Sequence, residues 1–226
     1  MDAMPQVPLG QSNLFLNPDR RCPCVLLLDN SYSMHGAKID ALNHGVQSLQ
    51  TDLSSDLVAL KRVEIAAVTF GPVHVAQPFT TVDRLSMPML TADNDTPMGE
   101  AIMAGLKILE ARKQDYRTAG VPYFRPWMFL ITDGASTDDT SAARQAIKQA
   151  EASKSLSFFA VGVDTADMKE LAMLAVRPPL HLNGLAFQQM FLWLSASLKS
   201  VSRSTPGQSV PLANPTGAGG WASVTT

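Results

Sequence analysis

The sequence is poor in the features that usually announce a compartment or a chemistry. It has two cysteines, Cys22 and Cys24, spaced two apart, a separation that fits a disulfide poorly, and no Cys or His cluster nearby completes a zinc set. Both read as free thiols. No apolar run reaches the roughly 18 residues of a membrane span, and the first twenty residues lack the basic and then continuously apolar segment of a secretory signal. A cytoplasmic protein without a membrane span is therefore expected. An excess of one charge is also missing. The formal net charge is -2, and the basic pairs Arg20-Arg21 and Lys61-Arg62 are too short to form a nucleic-acid footprint. There is no Gly-rich phosphate loop, no Gly-x-Ser-x-Gly elbow, no Cys and His arrangement for a nucleophile, and no internal repeat.

What is present is an ordinary globular composition, 46% apolar and 17% charged, in which short apolar runs alternate with segments of helical period. Cys24 to Leu28 reads as a buried strand, after which Ile39, Leu42, Val46, Leu49 and Leu53 recur at the spacing of an amphipathic helix. Val63 to Phe70 and Val73 to Phe79 flank Gly71-Pro72, a connection too short for a parallel crossover, so the pair predicts an antiparallel hairpin. Pro78 places its second strand at an edge. A polar loop over 80–95 leads to a helix with Pro97 in its first turn, marked by Met98, Ala101, Ile102, Gly105, Leu106 and Leu109. Trp127 to Thr132 is a further strand, followed by a helix through Ala143, Ile147 and Ala150, and by a strand from Leu156 to Val163. A short helix from Asp167 to Leu174, a short strand from Leu180 to Leu182 and a last helix carrying Phe187, Met190, Phe191, Leu194, Leu198 and Val201 complete the order.

That order predicts an α/β fold: a doubly wound, mostly parallel six-stranded sheet with one antiparallel edge strand and helices on both faces. Residues 1–20 read as an N-terminal extension and 21–201 as the domain. From Ser202 onward the composition turns to Ser, Thr, Pro and Gly with a lone Trp221. This stretch, 202–226, is either a flexible tail or an arm that packs on the domain or docks on a partner.

Three strand-end segments stand out. LLLDNSYSMHG stops a buried strand at Asp29 and follows it with Ser31 and Ser33; DNDTP supplies Thr96; ITDGAS supplies Asp133. Singly, each is what a turn or a helix cap would use. Together they put oxygen donors, and only oxygen donors, on three loops at the carboxyl rim of a doubly wound sheet, where ligands of such folds bind. Oxygen-only donors suit a hard cation such as Mg²⁺, which takes near-octahedral geometry at about 2.0 to 2.1 Å. The lack of thiolate and imidazole argues against zinc. Two carboxylates balance a divalent ion formally, while three hydroxyls give it little charge, so the ion stays electrophilic. Its open position then favours an anionic ligand, most simply a carboxylate of another protein.

The Asp-x-Ser-x-Ser of Asp29, Ser31 and Ser33, with Thr96 and with Thr132-Asp133-Gly134, resembles the metal-ion-dependent adhesion site of von Willebrand factor A domains, a likeness covering roughly residues 12 to 201. The resemblance implies hydroxyl ligands at Ser31, Ser33 and Thr96, with Asp29 and Asp133 bound directly or through water. It also implies Mg²⁺, with Mn²⁺ or Ca²⁺ as substitutes, and a protein partner presenting an acidic residue. The segments NLFLNPDRRCPCVLLLDNSYSM and TDGASTDD, and the Pro- and Gly-rich end with Trp221, look more particularly like the small bacterial members associated with tellurite resistance and stress operons. Tyr32 stands where many members carry Gly; with His35 it is a candidate partner-contact residue.

Neighbouring residues have plainer readings. His35 is either a general base or a solvent-facing loop residue, and Met34, Met98 and Met103 read as core filler and loop plugs. Glu100 either supports the metal from behind its ligands or is exposed near a helix N-terminus, and Asp138 and Asp139 either cap helices or touch metal or partner. The expected function is a metal-dependent protein interaction module and not an enzyme. The alternatives are a Mg²⁺-dependent phosphotransferase using Asp29 as nucleophile and a scaffold that keeps the fold without metal. Haloacid-dehalogenase-like phosphatases place a second Asp two residues after the first, and here that position is Ser31.

Overall fold

The computed structural model of the protein describes Leu14 and residues 17–224. Most of the N-terminal extension, together with Thr225 and Thr226, lies outside the described residues. Strand β1 (Cys22–Leu28) is buried over all 7 residues, and its alternate side chains serve two different cores. Cys22, Cys24, Leu26 and Leu28 face one; Val25 and Leu27 face the other. A strand apolar on both sides belongs in the middle of a sheet covered on both faces. β1 is accordingly flanked by β2 (Val63–Phe70) and β4 (Trp127–Thr132), both parallel to it. Both cysteines are free.

The sheet order is β3-β2-β1-β4-β5-β6-β7. β3 (Val73–Thr81) returns antiparallel along β2 as the hairpin pattern predicts, at one edge of the sheet. β5 (Ser157–Gly162) and β6 (Leu180–Leu182) extend the parallel set on the other side. Helices α1 (Ala37–Ser54), α2 (Leu57–Arg62) and α6 (Phe187–Arg203) cover one face, and α3 (Met98–Thr118), α4 (Ser141–Ala152) and α5 (Met168–Leu174) the other. Helix α2 was not foreseen, because its 6 residues are too few to show a period. It is held by Asp56, whose carboxylate accepts the Val58 and Ala59 amides at 3.0 Å each.

The chain passes from β1 to β2 on one side and reaches β4 on the other, so the winding direction reverses above β1 and β4. Such a switch point opens a crevice at the carboxyl ends of the strands. The opposite rim is closed by charge. Glu64, 1% exposed, accepts from Arg21 Nε at 3.0 Å, Arg112 Nε at 2.8 Å and Tyr116 Oη at 2.6 Å. A buried carboxylate is tolerated only with such partners.

The sheet has seven strands where six were expected. The additional one, β7 (Ala222–Val224), pairs antiparallel with β6, Leu182 lying beside Ala222 and Leu180 beside Val224. Of the two readings of the stretch after Ser202, the packed arm is therefore the one seen over its described residues. Trp193 Nε1 of α6 donates to Ala213 O at 2.8 Å, the Asn183 amide donates to Trp221 O at 2.9 Å, and the Trp221 ring lies 5.5 Å from that of Trp193. Trp221 is 5% exposed. Composition concealed this, because one aromatic and a few backbone bonds anchor an otherwise polar and small-residue segment. Trp221→Ala is expected to cost about 3 kcal/mol, as large-to-small changes at buried aromatics do. Urea denaturation checks it: the midpoint falls, whereas a loosely attached tail would leave it unmoved.

Candidate metal centre

Leu28 of β1 lies beside Ile131 of β4, so Asp29 and Asp133, the residues just beyond the two strand ends, arrive at the same rim. The Asp29 amide continues the ladder to Ile131 O at 3.0 Å. Both carboxylates are removed from solvent. Asp29 Oδ1 accepts the Ser31 amide at 2.8 Å and Oδ2 the Thr132 hydroxyl at 2.5 Å. Burial pushes the Asp29 carboxyl above the usual carboxylate range; the bonds from Ser31 and Thr132 oppose that rise and the Asp133 charge adds to it. Asp133 Oδ1 accepts from Ser33 Oγ at 2.5 Å, and Ser33 Oγ lies 3.0 Å from Ser31 Oγ.

Four of the five candidate donors, Asp29, Ser31, Ser33 and Asp133, thus form one chain of hydrogen bonds. Thr96 is not part of that chain, but its hydroxyl lies nearby. A methyl group built on Gly134 would stand 3.8 Å from Ser33 Oγ and 3.9 Å from Thr96 Oγ1, which puts the two hydroxyls around the same small residue. Among the described residues no group of three or more His, Cys, Asp or Glu could hold a metal. A cation at this rim therefore has to take hydroxyls as well as carboxylates.

Backbone and side-chain bonds lock the three loops together. The Tyr32 amide donates to Asn94 O at 3.0 Å and the Asp93 amide to Asn30 O at 2.8 Å, joining the first loop to the second. The Thr96 amide donates to Thr137 Oγ1 at 3.2 Å, and the Thr137 amide returns to Thr96 O at 3.0 Å, joining the second to the third. Asn30 Nδ2 reaches Thr91 O at 3.0 Å and Gly71 O at 3.3 Å. Gly71, in the β2–β3 turn, packs so closely that a Cβ there would lie 2.6 Å from the backbone oxygens of both Asn30 and Asp93.

Tyr32 and His35 sit outside this group of donors. Tyr32 is 72% exposed and its ring stacks on that of His35, with centroids 6.0 Å apart. Met34 and Met98 are buried in the two cores as filler, while Met103 is exposed, and Glu100 is exposed on the first turn of α3. Asp139 bonds the Ser141 amide and hydroxyl at the start of α4. Asp138 caps a different helix from the one beside it in sequence: its oxygens accept the Gly99 and Glu100 amides of α3 at 2.9 and 2.7 Å.

Sequence reasoning missed Lys38. Its ammonium lies 2.6 Å from Asp133 Oδ2 and 3.0 Å from Asp164 Oδ2. Burial lowers its pKa, but the bonds to Asp133 and Asp164 outweigh that and raise it. A signal was available. Lys38 is the second residue of α1, where a cation opposes the helix dipole, and a residue that breaks a local rule usually answers to something further away.

Fold and site together define a class, the open Rossmann-like α/β domains that carry their functional loops at the carboxyl rim of the sheet. More particularly, the chain belongs to the von Willebrand factor type A domain family, whose model matches residues 24–190. Solved structures share the fold at low identity. Proximal thread matrix protein 1 from the mussel byssus, described as having a zinc-occupied MIDAS motif, is 15% identical, with a TM-score of 0.55 over 80% of this chain and 48% of its own. VWA2, the ArnB paralog from Sulfolobus acidocaldarius, is 17% identical, with a TM-score of 0.54 over 78% and 44%. The pilus adhesin SpaC from Lactobacillus rhamnosus GG is 14% identical, with a TM-score of 0.65 over 80% and 30%. This chain spans less than half the length of each of the three.

The tie between α3 and the third loop is testable. Hydrogen bonds from Ser136 and from the Gly99 and Glu100 amides hold the Asp138 carboxyl below the usual range, against a burial effect that raises it. A depressed carboxyl stabilises the fold above its unfolded pKa, and that stability is lost as pH falls through the lower folded value. Asp138→Ala is expected to cost about 1 kcal/mol at pH 7, the worth of a helix cap. Thermal melts should show this deficit closing as pH drops below about 4, the ordinary carboxylate value.

Proposed function

We propose that this domain binds a divalent cation through Ser31, Ser33 and Thr96, with Asp29 and Asp133 bound directly or through water, and uses the ion to capture an acidic residue of a protein partner. The observation that carries the reading is the placement of two solvent-excluded carboxylates side by side within a ring of hydroxyls. Like charges buried together are costly, and a divalent ion between them removes that cost. The donor chemistry fits a hard cation. Mg²⁺ is the first choice on those grounds, with Mn²⁺ or Ca²⁺ as substitutes. Zinc, disfavoured by the donors alone, belongs in the same titration because a matrix protein of this fold is described with it.

When bound, the ion supplies an electrophilic position for an outside carboxylate. The chain's own residues orient it: Ser33 bridges Ser31 to Asp133, Thr132 fixes Asp29, and Asn30 with Gly71 holds the first two loops in register. Tyr32 and His35, stacked and exposed beside the ring, are placed to touch the partner next to its acidic residue. The function on this reading is binding and not catalysis: a phosphotransfer nucleophile at Asp29 would have to be reached by substrate, and Asp29 is fully buried with a hydrogen bond on each oxygen. The narrower context of tellurite resistance or stress operons rests on the likeness of the flanking segments alone. Among the described residues no helix is long and apolar enough to cross a membrane.

Asp29→Ala and Thr96→Ala should each abolish Mg²⁺ and Mn²⁺ binding in titration calorimetry while the circular dichroism spectrum stays native. Unchanged affinity in both variants would remove the site assignment, and no binding by wild type would leave a metal-free scaffold. Partner capture from an extract should disappear in chelator and return with Mg²⁺; retention that ignores chelator rejects the metal-bridged mechanism.

A further inference from the structure

Asp133 differs from Asp29 in that one of its two partners is a cation. Its Oδ1 is taken by Ser33 and its Oδ2 by the Lys38 ammonium at 2.6 Å. Among the described residues Lys38 is the one cation paired with it. The same ammonium is 3.0 Å from Asp164 Oδ2. The two carboxylates differ: the Asp133 side chain is 0% exposed and that of Asp164 52%. Lys38 therefore stands between a buried carboxylate of the ring and a wet one on the rim, on a flexible four-carbon stem that can exchange one for the other without backbone movement.

We propose that Lys38 is an internal competitor for the metal position: its ammonium neutralises Asp133 in the metal-free protein, and a divalent ion takes Asp133 from it while the ammonium keeps Asp164. The proposal rests on the metal-binding reading above and adds what sets the affinity. Two consequences follow from charge alone. The ion must displace a resident cation, so the site binds more weakly than its five donors would on their own, and it fills only where the free ion is plentiful. The metal-free domain, in turn, does not carry two unneutralised buried carboxylates, so it folds without metal. The displaced ammonium also stays near the ion, in a cleft of about 460 Å³ lined by His35, Lys38, Asp164, His181 and Leu185.

The test compares wild type, Lys38→Met and Lys38→Arg in calorimetric titration with Mn²⁺ and in thermal melts with chelator. Methionine keeps the length of the stem and removes the charge; arginine keeps the charge. Lys38→Met should bind Mn²⁺ at least about tenfold more tightly, the scale of losing one nearby like charge, and should melt lower in chelator. Its gain in melting temperature on adding Mn²⁺ should exceed that of wild type. Lys38→Arg should stay near wild type in all three. If wild type binds Mn²⁺ and Lys38→Met binds no better, the competition is overturned and Lys38 merely positions Asp133. If neither binds, the metal-binding reading falls and takes this proposal with it. Binding by Lys38→Met alone would support the competition and overturn metal capture by the wild-type domain.

Discussion

Two carboxylates buried next to each other at the ends of adjacent strands are the constraint around which this domain is arranged. Asp29 and Asp133 reach one rim because β1 and β4 are parallel neighbours in register, and they are neighbours because the winding of the sheet reverses there. Placing charge at that point is unfavourable in itself. The surrounding chemistry consists of offsets: the Ser31 amide and Thr132 hydroxyl on Asp29, the Ser33 hydroxyl on Asp133, and the Lys38 ammonium beyond. None of them supplies a full divalent charge. The strand ends are therefore left electrostatically unfinished in a way that a small hard cation can complete.

The amino-terminal rim of the same sheet shows the contrasting solution. Glu64 is as buried as Asp29, but two guanidiniums and a phenol from two separate segments satisfy it. The Arg112 guanidinium is held strongly cationic: burial works against it, but the bonds and charge of Glu64 more than compensate. That end needs nothing from outside and ties β2 to α3 and to the segment leading into β1. One sheet thus has a closed charge cluster at one rim, suited to stability, and an open one at the other, suited to binding.

How much of this was legible in the sequence follows from how locally each feature is encoded. β1, β4 and their terminal carboxylates were readable, because an apolar run that stops at Asp29 or Asp133 is visible within a few residues. The family follows from the same residues, and the residues matched by its model include all three site loops. What escaped was set by distance in the chain. Asp138 caps α3, 39 residues away in sequence, although the helix next to it is α4. Lys38 meets Asp133 across 95 residues, and no spacing rule on α1 points there. Helix α2 is too short to have a period, and the arm through Trp221 is held by backbone bonds that composition does not record.

Gly71 carries a last consequence. It belongs to the turn of an edge hairpin and donates nothing to the ring, yet its α-carbon is wedged against the carbonyls of Asn30 and Asp93 with no room for a single methyl group. The spacing between the first two loops is in effect gauged by a residue with no side chain. The separation of the loops that carry Asp29, Ser31 and Ser33 on one side and Thr96 on the other is thereby governed from outside those residues, so a change in a hairpin that belongs to neither loop can shift them relative to each other.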